Sequence, residues 1–375
     1  MRTRLAAVLI VVVFFACTTD RTRRGYLREN AARFTEPPAR PVIVVPGFGV
    51  SRLFDPVTGR FVWGTAHAMV QRRYADDLEL DATDRLVPRG FVGSRGPINI
   101  AWQLTEALRK YGGYTRDRDL YAFAYDWRRS ARDNANELAK FIENVRRAHG
   151  GTKVDLVTHS AGALVGLAYV KLVARDDVEH LVLIAPTRRG VADAFRLLVR
   201  GEQFLRRSFT PAMAATWPSV YELLPEDEKF VIDAHGNAVP IWSDGLSARR
   251  DRARKRRAES PSLQMAARRF RDELRDSPLP ADVQMTIIAG DCVPTTRRVL
   301  ARDDGTYAFY REELRENERA LESAMFEPGD GTVPVSSATA GEDALLFCDG
   351  HQGIASDPNV HRALIRVLRT ATLRR

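Results

Sequence analysis

Short apolar runs alternate with longer stretches of helical periodicity from residue 41 onwards. The runs predict strands at residues 41–45, 119–125, 153–157, 180–185, 283–289 and 343–347. The stretches between them predict helices at residues 98–111, 131–148, 161–174 and 358–368. The runs are short and mostly apolar rather than alternating, which is typical of strands covered on both faces of a parallel sheet. The alternation therefore predicts an α/β fold with a doubly wound, mostly parallel sheet.

One region interrupts this alternation. Residues 201–280 are basic and rich in helical patterns, and they contain no clear strand pattern. We interpret this region as a helical cap or lid inserted between two strands of the sheet. The core would then consist of a first part at residues 41–200 and a second part at residues 281–375.

The first residues of the chain have the pattern of an export signal. Arg2 and Arg4 precede residues 5–16, which are all apolar but too few to span a bilayer as a helix. Cys17 follows the small residue Ala16, as in a bacterial lipoprotein signal. We therefore expect a signal peptide at residues 1–16, lipidation of Cys17 and a basic tether at residues 17–40. Ordinary cleavage and an uncleaved anchor are the alternatives.

This pattern also predicts the location of the protein. A lipidated Cys17 would make it an exported, membrane-anchored lipoprotein of the cell envelope, periplasmic or in the outer membrane. Without lipidation, the protein would be secreted.

Composition narrows the class of protein. The chain has 375 residues, of which 45% are hydrophobic and 28% charged, which excludes collagen-like, coiled-coil and disordered proteins. Its three cysteines are too few for a disulfide-rich scaffold or a Cys₄ zinc site. Cys292 and Cys348 each follow a predicted strand at the same sheet edge, so either a bridge or two free thiols is possible. No cluster of metal ligands is visible, and we expect no cofactor.

The charge suggests an anionic partner. The formal net charge is +9, and most of residues 249–257 are basic. This segment is either a solvated part of the cap or a surface for anionic phospholipid headgroups. No nucleic-acid recognition motif accompanies the charge, so we expect a membrane surface rather than a nucleic acid. The basic residues of the cluster are Arg249, Arg250, Arg252, Arg254, Lys255, Arg256 and Arg257.

The clearest chemical signal surrounds Ser160. A predicted strand leads into Thr158-His159-Ser160-Ala161-Gly162, and a predicted helix follows directly. This is the strand–turn–helix setting of the G-x-S-x-G nucleophile elbow, although Thr158 replaces the first glycine. The pattern predicts that Ser160 is a nucleophile.

A serine nucleophile needs a base and an orienting acid further along the chain. His351 lies in Asp-Gly-His-Gln-Gly between a predicted strand and a helix, where α/β sheets place functional residues. His180, His235 and His361 lie at a strand start, in a turn of the cap and inside a helix. We therefore predict His351 as the general base. Asp291 and Asp330 are both candidates for the acid, and the pattern alone does not separate them.

An oxyanion hole needs two backbone N–H donors. The residue after the nucleophile, Ala161, would supply one. The loop after the first predicted strand, Val45-Pro46-Gly47-Phe48-Gly49, would supply the other from Phe48.

Several segments together resemble one family. They are PVIVVPGFGVSRL (41–53), AYDWRRS (124–130), VTHSAGALVGLAYV (157–170), WPSVYELLP (217–225), PGDGTVP (328–334) and GHQGIASDPNV (350–360). In this order they resemble the lecithin:cholesterol acyltransferase family of α/β-hydrolases, which includes lysosomal phospholipase A2 and phospholipid:diacylglycerol acyltransferase.

The resemblance implies several assignments. It implies Asp330 as the acid, supports Phe48 as an oxyanion donor, and suggests an ion pair between Asp126 and Arg128. It also implies that Trp127 lines the acyl site. Trp217 and Tyr221, with Leu223 and Leu224, would either line the acyl pocket or attach the cap to the core.

Some family features have no counterpart. Thr158 replaces the usual glycine, and the cysteines are too few for the lid disulfide of eukaryotic members. Residues 51–115 are also short for the membrane-binding subdomain of those members.

The resemblance predicts a serine-dependent O-acyltransferase, lipase or phospholipase A that acts on lipid esters through an acyl-serine intermediate. A soluble short-chain carboxylesterase is the alternative enzyme. A non-catalytic, envelope-anchored protein with a hydrolase fold is the alternative outside enzymes.

Overall fold

The computed structural model of this chain describes residues 38–70, 76–81, 84–92, 100–174, 176–204, 207–241 and 261–373. The predicted signal peptide, Cys17, nearly all of the tether and the basic cluster at 249–257 lie outside the described residues. None of the described helices is both long enough and apolar enough to cross a membrane.

The described strands and helices alternate over most of the chain. The strands are β1 (Val42–Val45), β2 (Ser51–Asp55), β3 (Arg60–Trp63), β4 (Val87–Phe91), β5 (Leu120–Ala122), β6 (Val154–His159), β7 (Val178–Ile184), β8 (Glu202–Phe204), β9 (Arg207–Phe209), β10 (Val231–Ile232), β11 (Gln284–Gly290), β12 (Val293–Thr296), β13 (Val299–Ala301), β14 (Tyr307–Ala308), β15 (Phe326–Gly329) and β16 (Leu345–Phe347). The α-helices are α1 (Ala66–Val70), α2 (Ile100–Tyr111), α3 (Ala131–Ala148), α4 (Gly162–Ala168), α5 (Ala192–Val199), α6 (Pro211–Ala214), α7 (Pro218–Glu222), α8 (Pro261–Asp276), α9 (Glu322–Met325), α10 (Val335–Thr339) and α11 (Pro358–Leu373).

The main sheet has six strands in the order β16-β11-β7-β6-β1-β5. Every neighbouring pair in it is parallel. This confirms the predicted doubly wound parallel sheet, and the order of strands places the carboxyl ends of β1, β6, β11 and β16 along one edge.

The continuous apolar runs have a simple cause. In β1, Val42 and Val44 pack in one hydrophobic cluster with α2 and α11, whereas Ile43 and Val45 pack in another with α3 and α4. Because successive side chains of a strand point to opposite faces, a strand with a core on each side has no polar positions to spare. The helices on both faces thus explain the pattern of the sequence.

Most predicted elements are found with small changes of boundary. The predicted helix at 131–148 matches α3, and Ser130 caps it by accepting a hydrogen bond from the Asp133 N–H at 3.0 Å. The predicted helix at 161–174 is divided into α4 and a π-helical segment, Tyr169–Val173. The predicted strand at 119–125 is shorter, because β5 ends at Ala122.

The region predicted as a helical cap also contains short strands. Residues 201–280 contain the hairpin β8–β9 and the short strand β10 beside α6, α7 and α8. Strand β10 pairs with β13, which lies outside this range, through Val231 and Val299. Strands this short depend on distant partners and leave little pattern of their own. The proposed limits of the cap remain a prediction.

Candidate active site

Ser160 stands in a sharp turn between β6 and α4. Its φ is 55°, in the left-handed region that costs a residue other than glycine roughly 1–3 kcal/mol. The turn brings backbone segments very close together. A Cβ at Gly47 would lie 2.9 Å from the Ser160 Cβ, and one at Gly162 would collide with the Pro46 carbonyl oxygen. Glycine is therefore required at these two positions.

Thr158 fits where the elbow pattern has glycine. It is buried in β6, and its hydroxyl donates to the Val182 carbonyl at 3.3 Å. A Cβ at Gly166 of α4 would lie 2.8 Å from the Thr158 Cγ2, so Gly166 provides the space that the threonine methyl needs. The threonine that replaces the glycine of the pattern therefore fits because Gly166 in α4 has no side chain.

Ser160, His351 and Asp330 form a chain of contacts. The Nε2 of His351 lies 2.9 Å from the Ser160 Oγ, and its Nδ1 lies 2.7 Å from the Asp330 Oδ2. The His351 backbone N–H also donates to the Asp330 carbonyl at 2.8 Å. Because a carboxylate only accepts, Nδ1 carries the hydrogen and Nε2 is free to accept the serine proton.

Asp330 is held as a carboxylate although it is buried. Its Oδ1 accepts the backbone N–H groups of Thr332 at 2.9 Å and Val333 at 2.6 Å. Burial alone would raise the pKa of Asp330, but the neighbouring His351 and these donors outweigh it and lower the pKa. The loop that follows β15 thus keeps a negative charge beside the imidazole.

The structure separates the candidates that the sequence left open. Asp291 donates its backbone N–H to the Phe347 carbonyl, and no contact joins its side chain to His351 in the described residues. His180 lies beside Asp155, and His361 contacts the Ala355 carbonyl, so both are engaged elsewhere. Among the described candidates, Asp330 is the carboxyl group that contacts His351.

The two predicted oxyanion donors border the same space. Phe48 and Ala161 line a cavity of about 310 Å³ together with Ser160 and His351. Neither backbone N–H donates to a group in the described part of the chain. The loop before Gly49 is held firmly, because the Tyr125 hydroxyl donates to the Pro46 carbonyl at 2.8 Å and the Trp63 indole donates to the Gly49 carbonyl at 2.6 Å.

The cavity wall is mostly apolar. Sequence reasoning missed much of this wall, because its residues come from separate elements that meet only in the fold. The helical spacing of apolar residues in α5 is the feature of the sequence that points to part of this wall. Apolar side chains on the wall include Trp63, Val191, Ala194, Leu197, Phe209, Val220 and Leu223. Asp193, Arg196 and Glu202 form ion pairs on one side of it.

Comparisons with known proteins agree with this architecture. Residues 96–244 match the family model for lecithin:cholesterol acyltransferase. The chain is 24% identical over 244 residues to lecithin-cholesterol acyltransferase-like 4 of Arabidopsis thaliana, covering 52% of this chain and 44% of that protein. It is 25% identical over 242 residues to the lysosomal phospholipase A and acyltransferase of Homo sapiens, covering 60% of this chain and 53% of that protein.

Over residues 96–244, this chain is similar to the lecithin:cholesterol acyltransferase family. The resemblance predicted from its motifs is thereby confirmed. The chain spans about half the length of these curated relatives. A solved structure, titled as the Tle4–Tli4 complex, covers 89% of this chain and 99% of its own with a TM-score of 0.59 and 15% identity. That likeness shows the α/β-hydrolase fold alone.

The ion pair implied by the acyltransferase family is present. Arg128 is fully buried and lies 2.8 Å from Asp126, and it also pairs with Asp84 at 2.8 Å. It donates further hydrogen bonds to the carbonyls of Leu78 and Glu79. The pair therefore attaches the segment before β4 to the core.

Three residues predicted to contact substrate do not lie on the cavity wall. Trp127 and Trp217 are buried behind Phe48, with ring centroids 4.6 and 5.9 Å from it. Their indole N–H groups need acceptors, and they donate to the carbonyls of Ser51 and Leu78. Tyr221 borders a different groove, and its hydroxyl donates to the Ala215 carbonyl. These hydrogen bonds therefore hold the two indole rings and the phenol ring outside the wall of the Ser160 cavity.

Cys292 and Cys348 form a disulfide, which resolves the alternative left open by the sequence. The bond joins the loops that follow β11 and β16, and their Cα atoms are 5.0 Å apart. Cys348 lies shortly before His351, and Cys292 precedes β12, which pairs with the strand leading to Asp330. The bridge therefore joins the loop that carries the base to the segment before β12, the strand that pairs with β15 next to Asp330.

Proposed function

We propose that this protein is a serine-dependent enzyme that transfers acyl groups from lipid esters to water or to an alcohol. The observation that carries the proposal is the chain Ser160–His351–Asp330, with contacts of 2.9 and 2.7 Å, at a mostly apolar cavity. Ser160 attacks the ester carbonyl while His351 takes its proton, and Asp330 keeps the imidazole in the required tautomer. The same imidazole then protonates the leaving alcohol.

The Phe48 and Ala161 amides are proposed to bind the oxyanion. Their N–H groups border the cavity beside Ser160 and have no acceptor among the described residues. Loss of one such donor typically lowers the rate about 10²–10³-fold. The acyl-serine then reacts with water, which gives hydrolysis, or with an alcohol, which gives a new ester.

The apolar wall supports a lipid acyl chain as the transferred group. The relatives named as phospholipase and acyltransferase support the same substrate class. A short-chain carboxylesterase remains the second candidate, because a cavity of about 310 Å³ is at the small end of the range for ligand pockets. Activity on a series of ester chain lengths separates these two functions.

We also propose that the protein is exported and anchored through Cys17, with the basic cluster at 249–257 facing an anionic membrane. The Cys292–Cys348 disulfide supports an oxidising compartment. The mass of the mature protein tests the anchor, because lipidation would begin the chain at Cys17 and add acyl groups. A mature chain without lipid, or one beginning elsewhere, would contradict it.

The function is tested by mass spectrometry of the lipid products. The protein is mixed with phospholipid vesicles and a lipid alcohol, and Ser160→Ala is compared with Ser262→Ala, a change at an exposed position of α8. We expect lysolipid with either free fatty acid or a new acyl ester from wild type and Ser262→Ala, and none from Ser160→Ala. Full activity of Ser160→Ala would eliminate the mechanism. Products only from short soluble esters would favour the carboxylesterase.

A further inference from the structure

His159 lies at the end of β6, directly before Ser160, and is almost completely buried. Its Nε2 is 3.2 Å from the backbone carbonyl oxygen of His351, and the centroids of the two rings are 4.9 Å apart. The mechanism described above does not use this side chain. Its contact nevertheless joins the strand that carries the nucleophile to the loop that carries the base.

The direction of this hydrogen bond fixes the tautomer of His159. A carbonyl oxygen only accepts, so Nε2 must carry the hydrogen and Nδ1 must be a bare acceptor. Within the described residues, that Nδ1 is buried without a hydrogen-bond partner. An unpaired buried acceptor is destabilising, and an apolar side chain would avoid it. A buried histidine with an unpaired nitrogen therefore indicates a role that compensates for this loss of stability.

The opposite edge of the ring faces the proposed oxyanion loop. A Cβ at Gly47 would lie 3.3 Å from the His159 Nδ1 and 2.9 Å from the Ser160 Cβ. The imidazole thus fills the space between Gly47, next to Phe48, and the His351 loop. One side chain therefore separates the loops that carry the proposed oxyanion donor and base.

His159 remains neutral around neutral pH. Burial, with a smaller effect of the nearby His351, lowers the pKa of His159 to about 3. His351 and Asp330 are the titratable groups that act on it. The N–H group on Nε2 is therefore present throughout the range around neutral pH.

We propose that His159 is a positioning residue that holds the His351 carbonyl and so keeps the His351 imidazole within hydrogen-bond distance of the Ser160 hydroxyl. The proposal rests on the proposed serine mechanism. With the contact to Asp330, it gives the His351 loop two independent attachments, one to the acid and one to the strand of the nucleophile.

Kinetics of His159→Leu and His159→Gln test the role. Leucine removes the donor, whereas the amide of glutamine can still donate to the carbonyl. A displacement of about 1 Å at a reacting group can cost 10²-fold. We therefore expect His159→Leu to lower kcat about 10–100-fold with little change in KM, and His159→Gln to recover most of it. Wild-type kcat in folded His159→Leu, or no recovery with glutamine, would overturn the proposal.

His361 provides a matched control. It is also a buried histidine, with Nε2 lying 2.8 Å from the Ala355 carbonyl, but it lies in α11 and, among the contacts described, touches no member of the site. His361→Leu and His361→Gln should change the melting temperature without a rescue pattern in kcat. The same kcat pattern at both positions would overturn the assignment, because it would reflect general packing.

A measurement on the unmodified full chain does not depend on whether a variant folds. The ¹⁵N spectrum of histidine-labelled wild type, assigned through the backbone resonances of the same full chain, should show His159 as the Nε2–H tautomer from about pH 5 to pH 9. Hydrogen on Nδ1, or titration of His159 in this range, would overturn the proposal. The result holds whether or not Ser160→Ala is inactive, so failure of the inference is distinguishable from failure of the function.

Discussion

Asp330 and Glu222 are both buried carboxyl groups, yet their pKa values move in opposite directions. Asp330 faces His351 and two backbone N–H groups, and its pKa is lowered. Glu222 in α7 accepts the Ala131 N–H at 2.7 Å, and burial raises its pKa to about 8 against this bond and the more distant Arg271. The two residues are 3% and 4% exposed, so a difference in exposed surface does not explain the opposite directions.

The comparison shows what each region requires. The loop after β15 directs several donors at one carboxylate and keeps a charge beside the base. In α7, the Arg271 Nη1 bonds to the backbone carbonyl of Glu222 rather than to its carboxylate. That region therefore packs a largely neutral carboxyl between the cap and α3. Donors directed at the group, rather than its depth, determine its charge.

Asp330→Asn should have the largest effect. The backbone N–H groups of Thr332 and Val333 require an oxygen at the Oδ1 position, so the new amide NH₂ would face His351. An NH₂ there favours the tautomer with hydrogen on Nε2, which cannot accept the serine proton. We expect kcat to fall about 10³–10⁴-fold with the fold intact. Steady-state kinetics and circular dichroism measure the two properties.

Asp291→Asn is the matched control for that prediction. Asp291 follows β11 at the same sheet edge but has no contact with His351 among the described residues. It should keep kcat within about threefold, which is a difference of less than 1 kcal/mol. Equal losses in both variants would contradict the special role of the Asp330 loop.

Removal of the disulfide should have the next largest effect. Cys292→Ser with Cys348→Ser frees a loop with a sequence separation of 56 residues. The free energy of unfolding should fall by about 2–4 kcal/mol, because the unfolded chain regains entropy. Urea unfolding of wild type and of the double variant, each with and without reductant, measures it. A further loss in the double variant on adding reductant would contradict this explanation.

The nucleophile and base could be predicted because their signals are local. A strand, small residues and a helix surround Ser160, and glycines flank His351 after a strand. The choice between Asp291 and Asp330 could not be made from the pattern, because it depends on which loop reaches the imidazole. It required either the family resemblance or the contact of 2.7 Å.

The cavity wall was harder to predict for a different reason. Trp127 and Trp217 are large aromatics near the site, which is the composition expected of an acyl pocket. Their indole N–H groups instead bond to backbone carbonyls behind Phe48, and Val220 and Leu223 face the cavity. The orientation of a side chain in these connecting segments depends on distant partners. The sequence indicates that such residues are buried but not which surface they form.

Glu222→Gln should alter the pH dependence of stability. The folded-state pKa of about 8 lies above the usual value near 4.3, so the folded protein binds the extra proton between these limits. The free energy of unfolding of the wild type therefore decreases as pH rises through this window. Glutamine keeps an acceptor for the Ala131 N–H but has no such loss. We expect the variant to gain on the order of 1–3 kcal/mol relative to wild type by about pH 8.

Chemical unfolding at several pH values measures this gain. Glu137→Gln, at an exposed position of α3, is the control and should follow wild type. A stability difference for Glu222→Gln that is constant with pH would show that Glu222 titrates normally. It would also remove the contrast between the two carboxyl groups.

The smallest expected effect concerns the two leucines that follow Glu222. They are similarly buried but line different cavities. Leu223 lines the cavity of Ser160, whereas Leu224 lines the separate groove beside α8.

Leu223→Val removes a methylene from the proposed acyl wall, so longer or branched acyl chains should gain about 1 kcal/mol, or roughly fivefold in relative kcat/KM. Leu224→Val should cost similar stability but leave acyl preference unchanged, because its space does not receive the substrate. Relative kcat/KM over a series of acyl lengths measures both. Equal shifts in the two variants would contradict this prediction. They would mean that acyl selectivity depends on packing around both leucines and not on the wall of the Ser160 cavity.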